Sequence, residues 1–465
     1  MLRKTSTLLA VQLKQWIPDP FVFAVGLTLG VGLLAWGLTE STGGEVLDAW
    51  FRGFWILLEF GMQMVLVLAT GYAIALAPIA GRLIDRLAAA ITKPAQVYLV
   101  VLLLGPLLTL VSWGWVVLTA VLARELAVRV KGIDYAYLTA CVYISSWSWV
   151  CGLSSSIPLL LNTNGNFLIE TGVLPSTIPV ASTLGSTLNL VYLGVGFVVV
   201  PLLMMATSPR TAEAVPIGDL SEERTSGARR SVAEEAEETR LPGGSLSDLL
   251  NHGWLLQTIL AILGLAFLVR YFAGRGFDIN LEIMIFAFLM IGLLAHRTPM
   301  RYVVAMKRAC SGVSGIVFQY PFYAGIMGLM MFTGLGSMTS SWLAEYSSPA
   351  TLPALSQFLG AVVNFAIPSA GGEWAVIGPG LVETAQAVGS ELPPDEFQVL
   401  VSRIALAVAY GETSTNLLQP FFLLVILPVM GAGVRIQARD VMGYLIVPFV
   451  VMYAVTAVMV TWLPM

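Results

Sequence analysis

Long apolar runs, separated by short polar segments, recur along almost the whole chain. Each run is roughly 18 to 25 residues long, which is enough for a helix to cross a hydrocarbon core about 30 Å thick. A transmembrane β-barrel would instead show short segments in which apolar and polar residues alternate. The pattern therefore predicts an all-α membrane protein. Continuous spans are predicted near residues 21–38, 54–77, 133–161, 183–205, 253–272, 280–296, 311–333, 399–430 and 441–462.

Two further apolar stretches, 95–130 and 352–388, are interrupted near their middle. The first contains "VSWGW" and the second contains "NFAIPSAGGEW", which is poor material for a continuous helix in lipid. Backbone that leaves the helix at membrane depth exposes polar groups that lipid cannot satisfy, so such breaks persist around polar cavities. Each stretch is therefore predicted to be a re-entrant hairpin that enters and leaves on one side.

Two of the predicted spans are also broken by polar residues. Residues 133–161 contain "SWVCGLSSSIP", and residues 399–430 contain "AYGETSTNLLQP". These interruptions repeat the logic of the hairpins, because serines precede Pro158 in the first and Ser, Thr and Asn side chains precede Pro420 in the second. Both spans are predicted to unwind near the middle of the membrane.

The distribution of positive charge gives an orientation. If the chain crosses the membrane nine times and each hairpin enters and leaves on the same side, the cytoplasmic segments hold 20 of the 24 Lys and Arg residues. Only Arg52, Arg270, Arg275 and Arg403 fall outside. Positively charged residues accumulate on the cytoplasmic side of bacterial membrane proteins. The chain is therefore predicted to be a multi-pass protein of the bacterial cytoplasmic (inner) membrane, with its N-terminus in the cytoplasm and its C-terminus outside.

The order of spans, hairpin and broken span occurs twice. The first copy begins inside and the second outside, so hydropathy predicts an inverted repeat, a feature of many transporters. The predicted parts are a first repeat at 1–205, a flexible cytoplasmic linker at 206–250, a connecting span at 251–278 and a second repeat at 279–465. The linker is charged and poor in aromatic residues, which is typical of disorder.

Composition narrows the possible functions. The chain is 57% hydrophobic and 11% charged, with a mean hydropathy of +0.83, so most of its surface avoids water. Three cysteines without a pairing pattern and two histidines indicate no disulfide framework, metal site or cofactor. No nucleotide-binding motif is present, and no nucleic-acid partner is expected. Transport is favoured over enzymatic activity, with lipid and a small solute as partners.

The breaks suggest the chemistry of that solute. Half-helix N-termini at mid-membrane present free N–H groups and a partial positive charge, which suits a small anion. Trp113, Trp115, Phe365 and Trp374 surround the predicted tips, and these apolar rings favour a carboxylate with a short hydrocarbon tail.

A coupling ion is also indicated. Unwound carbonyls and the oxygens of residues such as Thr415 suit Na⁺, whereas a buried carboxyl such as Glu412 or Glu373 could carry H⁺. The residues leave this choice open.

Six motifs, in one order, resemble the short-chain fatty acid transporter family, which is associated with uptake of acetoacetate and butyrate in bacteria. They are "WIPDPFVFA", "FWILLEFGMQM", "VSWGW", "FQYPFYAGI", "NFAIPSAGGEW" and "AYGETSTNLLQPF". The resemblance spans nearly the whole chain except the linker. It places the chain in the ion transporter superfamily, which implies two re-entrant hairpins, a homodimer built on scaffold helices and elevator-type movement of a transport domain.

The resemblance also implies a substrate site at the hairpin tips and broken spans. The candidate substrate-binding residues are Ser112, Trp113, Gly114, Ser154, Ser155, Ser156, Asn364, Pro368, Ser369, Gly371, Gly372, Glu373, Thr413, Ser414 and Asn416. The candidate ion-coupling residues are Glu412, Thr415 and Glu373.

Other functions remain open at this point. A C4-dicarboxylate or other organic-anion carrier would share the architecture, but a dianion should recruit a cationic side chain, for which Arg403 is the candidate. An intramembrane hydrolase would need a base near Ser154 or Ser414, and both histidines lie far along the chain. A channel would conduct without saturating at low substrate.

Overall fold

The computed structural model describes residues 20–209, 214–220, 231–240, 245–276, 278–312, 314–365, 367–419, 422–431 and 433–465. This part of the chain is helical and contains no β-strands, which confirms the all-α prediction.

The helices before residue 210 contain the first predicted hairpin and the first broken span. They are α1 (Pro20–Leu38), α2 (Gly43–Gly53), α3 (Leu58–Ala75), α4 (Pro78–Ala90), α5 (Pro94–Val111), α6 (Val116–Arg129), α7 (Tyr135–Ile144), α8 (Ser156–Leu161), α9 (Phe167–Glu170) and α10 (Thr187–Thr207). Short 3₁₀ helices occur at Trp113–Trp115, Ser145–Cys151 and Val180–Ser182.

The remaining helices follow a similar plan after an intervening segment. They are α11 (Val232–Glu237), α12 (Leu246–His252), α13 (Leu255–Arg275), α14 (Leu281–His296), α15 (Pro299–Gly312), α16 (Ser314–Phe332), α17 (Leu335–Glu345), α18 (Leu352–Val363), α19 (Ala370–Val388), α20 (Pro394–Thr415), α21 (Leu423–Met430), α22 (Ala438–Met442) and α23 (Ile446–Trp462). Further 3₁₀ helices occur at Ile217–Leu220, Asn416–Leu418 and Gly443–Leu445.

Six helical segments in the described residues are long and apolar enough to cross a membrane, or seven if one bent pair counts as a single span. They are Gly43–Ala75, Pro94–Val111, Tyr135–Leu161, Thr187–Thr207, Leu246–Arg275 and Asp440–Trp462. The bent pair is Val317–Phe332 with Leu335–Glu345, at an angle of 72°. The structure is therefore that of a multi-pass membrane protein, and the number of nine crossings stays a prediction.

Several helices were not predicted from hydropathy. α4 and α15 are too polar to register as spans, and α17 follows the sharp bend after α16. Gly334 lies at that bend with φ of 79°, in the left-handed region that glycine adopts without steric cost. A hydropathy pattern detects spans, but it detects neither a more polar helix nor a bend between two helices.

Both predicted hairpins are helix pairs with a short break. α5 and α6 are separated by Ser112–Trp115, whereas α18 and α19 are separated by residues 364–369. The two arms of each pair pack on each other. α5 has 18 residues and is long enough to reach across a membrane, so the re-entrant geometry of this pair stays a prediction.

In both halves the first arm of the hairpin packs on the broken span. α5 lies against the 3₁₀ helix Ser145–Cys151, where a Cβ added to Gly105 would lie 2.3 Å from Ser145 Oγ. α18 lies against α20, where a Cβ added to Gly411 would lie 2.2 Å from the carbonyl oxygen of Gln357. A glycine therefore permits the closest approach in each pair, and this packing sets the position of the polar breaks.

The segment predicted as a flexible linker is partly folded onto the membrane domain. Val232 and Ala236, one turn apart on α11, are buried with Ala305 and Ala309 of α15 and with Ala69 and Ala73 of α3. The guanidinium of Arg308 forms an ion pair with Glu235, at 2.5 Å between Nη2 and Oε2. The small apolar face of α11 thus packs on α3 and α15, which the high charge of the predicted linker did not indicate.

Candidate functional site

The first hairpin tip rests on the break of the span that follows it. Ser112 is extended after the end of α5, with φ of −152° and ψ of 130°. The backbone N–H of Trp113 donates to Ser154 Oγ over 2.8 Å. Leu153, which directly precedes Ser154, donates its N–H to the carbonyl of Leu110 over 2.7 Å. The tip of the first hairpin and the serine run are therefore one structural unit.

The same tip also contacts α3. The indole Nε1–H of Trp115 donates to the carbonyl of Gly71 over 2.9 Å. Ser112 is fully buried, and its Oγ has no hydrogen-bond partner among the described residues. A Cβ added to Gly71 would lie 2.1 Å from that oxygen, and one added to Gly114 would lie 3.1 Å from the backbone nitrogen of Tyr72. Ser112 is thus a buried hydroxyl that lacks a protein partner.

The three serines of the first break have different roles. Ser154 accepts from Trp113, as described above, and Ser155 Oγ donates to the carbonyl of Val150. Ser156 is the first residue of α8 and is buried. Ser154 and Ser155 therefore stabilise the unwound backbone, because their hydroxyl groups form hydrogen bonds with backbone groups that the break leaves without helical partners.

Three amide side chains form a network in the second half. Asn364 Nδ2 donates to the carbonyl of Glu412 over 3.0 Å and to Asn416 Oδ1 over 2.8 Å. Gln419 Nε2 donates to Asn416 Oδ1 over 2.8 Å and to the carbonyl of Asn364 over 3.3 Å. This network joins the end of α18 to the end of α20, so Asn364 and Asn416 lie together as predicted for one site.

The second hairpin tip contacts aromatic residues of α3 and α16. Ser369 caps α19 by accepting from the N–H of Gly372, and its hydroxyl lies 3.1 Å from that of Tyr320. A Cβ added to Gly371 would lie 2.8 Å from both Phe60 Cζ and Tyr320 Oη. Gly371 is therefore required for close packing against these rings, and Pro368 is buried directly before the cap.

Two carboxyl groups lie at the centre of this region. Glu373 and Glu412 are both fully buried. Glu373 Oε1 lies beside Val408, one turn before Glu412 on α20, since a Cβ added to Gly360 would be 2.9 Å from this oxygen and 3.0 Å from Val408 Cα. Glu412 Oε1 lies 3.4 Å from the amide Nδ2 of Asn416. Glu412 Oε2 and both oxygens of Glu373 have no hydrogen-bond partner in the described part of the chain.

The hydroxyl residues after Glu412 divide into two kinds. Ser414 donates to the carbonyl of Tyr410 over 2.8 Å, and Thr415 donates to that of Gly411 over 3.1 Å. Such bonds to the preceding turn are common for Ser and Thr in membrane helices. Thr413 Oγ1 is buried without a hydrogen-bond partner among the described residues. Thr413 therefore has free capacity for a ligand, whereas Ser414 and Thr415 already have partners.

The two broken spans meet. The hydroxyl of Tyr143, at the end of α7, lies 2.7 Å from the carbonyl of Asn416 and 2.8 Å from that of Gln419. The rings of Trp113 and Phe422 are in edge contact, with centroids 5.2 Å apart. The first-half tip and break are thereby joined to the second-half break. Ser112 and Ser369 themselves lie on different neighbours, Gly71 and Tyr320.

Three residues of this centre were missed in the sequence. Gln419 and Tyr320 lie inside "AYGETSTNLLQPF" and "FQYPFYAGI". The motifs therefore included both residues, but the sequence did not indicate their roles. Tyr143 lies in an otherwise apolar run and gave no signal. A tyrosine is compatible with an apolar core, and only the position of its hydroxyl reveals a polar function.

A cavity of about 380 Å³ lies away from this centre. It is lined by Pro349, Ala350, Leu392, Asp395, Glu396, Val399, Leu400, Arg403 and Thr461. Arg403 Nη1 donates to the carbonyl of Val460 over 3.1 Å. Arg403 precedes Glu412 by nine residues on α20, which corresponds to ~13.5 Å along the helix. Arg403 therefore lies outside the polar centre.

Comparisons with known proteins identify the family of the chain. A family model described as "Short chain fatty acid transporter" matches residues 1–463. A relative from Escherichia coli (strain K12) is 36% identical over 449 residues, and one from Haemophilus influenzae (strain ATCC 51907 / DSM 11121 / KW20 / Rd) is 34% identical over 456 residues. Each match covers 96% of this chain and 96% of the relative, and both relatives carry the name "Putative short-chain fatty acid transporter".

Two solved structures share the fold. The YdaH transporter of Alcanivorax borkumensis aligns with a TM-score of 0.59 at 15% identity, covering 96% of this chain and 98% of that one. MtrF of Neisseria gonorrhoeae aligns with a TM-score of 0.53 at 13% identity, covering 97% of both chains. The family model and the two relatives show that this multi-pass membrane protein is a transport protein. Within that class, the chain belongs to the short-chain fatty acid transporter family.

Proposed function

We propose that this protein is a secondary active transporter that takes up short-chain monocarboxylates such as acetoacetate or butyrate across the bacterial inner membrane, by symport with Na⁺ or H⁺. The observation that carries the proposal is the meeting of the two broken spans around buried polar atoms that have no hydrogen-bond partner among the described residues. These atoms include Ser112 Oγ, Asn364 Oδ1, Thr413 Oγ1 and the carboxyl oxygens of Glu373. Buried polar groups are normally hydrogen-bonded, so their number here is consistent with a place for a polar ligand.

The substrate class is a monocarboxylate. The candidate donors for its carboxylate are hydroxyl groups, namely those of Ser112 and Thr413, since a hydroxyl can donate to an anion. The rings of Trp113, Phe422, Phe60 and Tyr320 surround the tips and suit a short hydrocarbon tail. Uncharged hydroxyl donors suit a ligand with one negative charge, whereas a dianion would require a cationic side chain.

The alternatives receive less support. A C4-dicarboxylate carrier would use Arg403, but this residue donates to Val460 beside a separate cavity. An intramembrane hydrolase would need a base beside the serine run. His296 instead lies with its Nε2 2.7 Å from the carbonyl of Ala73, and Ser154 accepts from Trp113. A channel would conduct without saturating and would not give the counterflow that the transport experiment below measures.

The resemblance to the ion transporter superfamily adds a mechanism to the proposal. In that scheme the protein is a homodimer, and the hairpins and broken spans move together as a transport domain against scaffold helices. The packing of each hairpin arm on a broken span is consistent with a unit that moves as one body.

Transport in proteoliposomes tests the proposed function. Vesicles loaded with unlabelled butyrate should take up labelled butyrate by counterflow, and an excess of external acetoacetate should compete while succinate should not. Protein-free vesicles measure the passive entry of the neutral acid, which is subtracted. Absence of counterflow, or inhibition by succinate alone, would contradict the assignment to monocarboxylates.

A further inference from the structure

We propose that Glu373 and Glu412 form a carboxyl pair that shares one proton, with the proton on Glu373, and that this pair makes H⁺ the coupling ion. The inference rests on the proposed transport function and selects one of its two coupling ions. It follows from the positions of the two side chains and from the different partners that each has.

The pair has no compensating positive charge. Both side chains are fully buried, and neither forms an ion pair within the part of the chain that the structure describes. Two unpaired carboxylates that interact at close range in a low-dielectric site are very unfavourable, and a proton on one of them removes most of that penalty. The pair is therefore expected to carry a single negative charge.

The surroundings determine which carboxyl is neutral. Glu412 Oε1 lies 3.4 Å from the amide Nδ2 of Asn416, a donor that stabilises an anion, whereas Glu412 Oε2 has no hydrogen-bond partner among the described residues. Glu373 has no donor among the described residues. Its Oε1 lies in the tight contact between α18 and α20, since a Cβ added to Gly360 would be 2.9 Å from this atom and 2.8 Å from the carbonyl oxygen of Val408. An unsolvated oxygen beside a carbonyl favours the neutral acid.

The other elements that pack on α19 leave the pair isolated. α16 contributes the phenols of Tyr320 and Tyr323, of which Tyr320 interacts electrostatically with Glu412. α18 and α8 contain no ionisable residue, and the one in α17, Glu345, is its last residue. On α19 itself the next carboxyl, Glu383, is ten residues away and accepts from Ser340. Glu412 is therefore the charged group that faces Glu373.

These contacts suit a proton better than Na⁺. A sodium ion needs several oxygen ligands around it, and the amide N–H of Asn416 at Glu412 Oε1 would repel a cation from that side. A proton needs only the two carboxyl groups. The proton bound at Glu373 also lowers the negative charge of a site that must admit an anion, so proton and substrate should bind cooperatively. On the cytoplasmic side, the proton leaves the Glu373 oxygen for water and the substrate leaves as its carboxylate.

Infrared difference spectroscopy tests the proton directly. The purified, reconstituted protein should show the carbonyl stretching band of a neutral carboxylic acid at neutral pH, shifted in D₂O. Glu373→Gln should remove this band. Glu59→Gln should retain it and serves as the matched control, because Glu59 is an exposed carboxyl on α3. Elution as a single species and a cooperative thermal transition check that Glu373→Gln is folded.

Two spectroscopic results would overturn the proposal. One is a band that persists in Glu373→Gln or is absent from the unchanged protein. The other is loss of the band when Na⁺ replaces choline at constant pH, which would make the pair a sodium site.

A transport measurement completes the test. An inward proton gradient should increase the initial rate of butyrate uptake in the unchanged protein and in Glu59→Gln, but not in Glu373→Gln. An equal response to the gradient in Glu373→Gln would contradict the assignment. If the infrared band behaves as expected but the unchanged protein shows no butyrate counterflow, the proposed function fails while the proton pair stands.

Discussion

At the scale of single residues, Tyr143 provides the polar link between the two halves. Its hydroxyl lies within 2.8 Å of two carbonyl oxygens, those of Asn416 and Gln419, at the point where α20 unwinds. Carbonyls released by an unwound helix need donors in a buried site. Tyr143 supplies such a donor from a helix that lies 273 residues earlier in the chain.

Replacing Tyr143 by Phe should therefore loosen the second break without changing the packing of the ring. The lost hydrogen bond should lower stability by about 1–3 kcal/mol, since the buried carbonyls of Asn416 and Gln419 lose the hydroxyl that contacts them both. Butyrate counterflow should fall as well, because Asn416 is no longer held in position. Thermal unfolding in detergent and counterflow measure the two effects.

Tyr346→Phe is the matched control, because this tyrosine is 69% exposed. It should leave both the melting temperature and counterflow unchanged. Equal effects in the two variants, or no effect in Tyr143→Phe, would show that the hydroxyl does not support the break.

At the scale of helices, the close contact between α18 and α20 positions both carboxyl groups and the amide network. Gly411 makes the contact possible, because any side chain there would run into the backbone of Gln357. Glu412 directly follows Gly411, Asn364 lies about two turns after Gln357, and the amide of Asn364 donates to the carbonyl of Glu412 across the same contact. The spacing of the two helices thus decides whether the polar groups meet.

Gly411→Val should separate the helices and disrupt the amide network. Forcing extra atoms against backbone typically costs about 1–3 kcal/mol. We expect a lower melting temperature together with loss of counterflow. Gly30→Val should be tolerated, because no atom lies within 4 Å of a Cβ added to Gly30. A stable, active Gly411→Val protein would refute the importance of this contact.

At the scale of the whole molecule, the orientation predicted from charge can be tested with a natural cysteine. Cys310 lies exposed on α15, a helix that contains Arg301, Lys307 and Arg308, closely follows Arg297 and is predicted to face the cytoplasm. Cys141 and Cys151 are buried.

A membrane-impermeant maleimide should therefore label the protein in inside-out vesicles and not in right-side-out vesicles. Cys310→Ser should abolish the label in both, which assigns the signal to this residue. Labelling of Cys310 in intact right-side-out vesicles would reverse the predicted orientation. The N-terminus would then lie outside and the C-terminus in the cytoplasm.

The sequence by itself determined the class of protein and the places where its helices break. Apolar runs of membrane-spanning length and charge asymmetry are local properties, and so are the clusters around Pro368 and Glu412. The family also followed from motifs read in order. These features could be predicted because lipid constrains each segment independently of its neighbours.

Only the tertiary structure decided which polar groups meet and which are already satisfied. Ser414 and Thr415 bond within their own helix, whereas Thr413 beside them has no partner among the described residues. The amide Nδ2 of Asn416 lies 3.4 Å from Oε1 of Glu412, whereas the oxygens of Glu373 have no hydrogen-bond partner in the described part of the chain, and Tyr143 reaches the second break from the first half. These relations depend on the rotation and spacing of helices that are distant in the chain, and hydropathy carries no information about either.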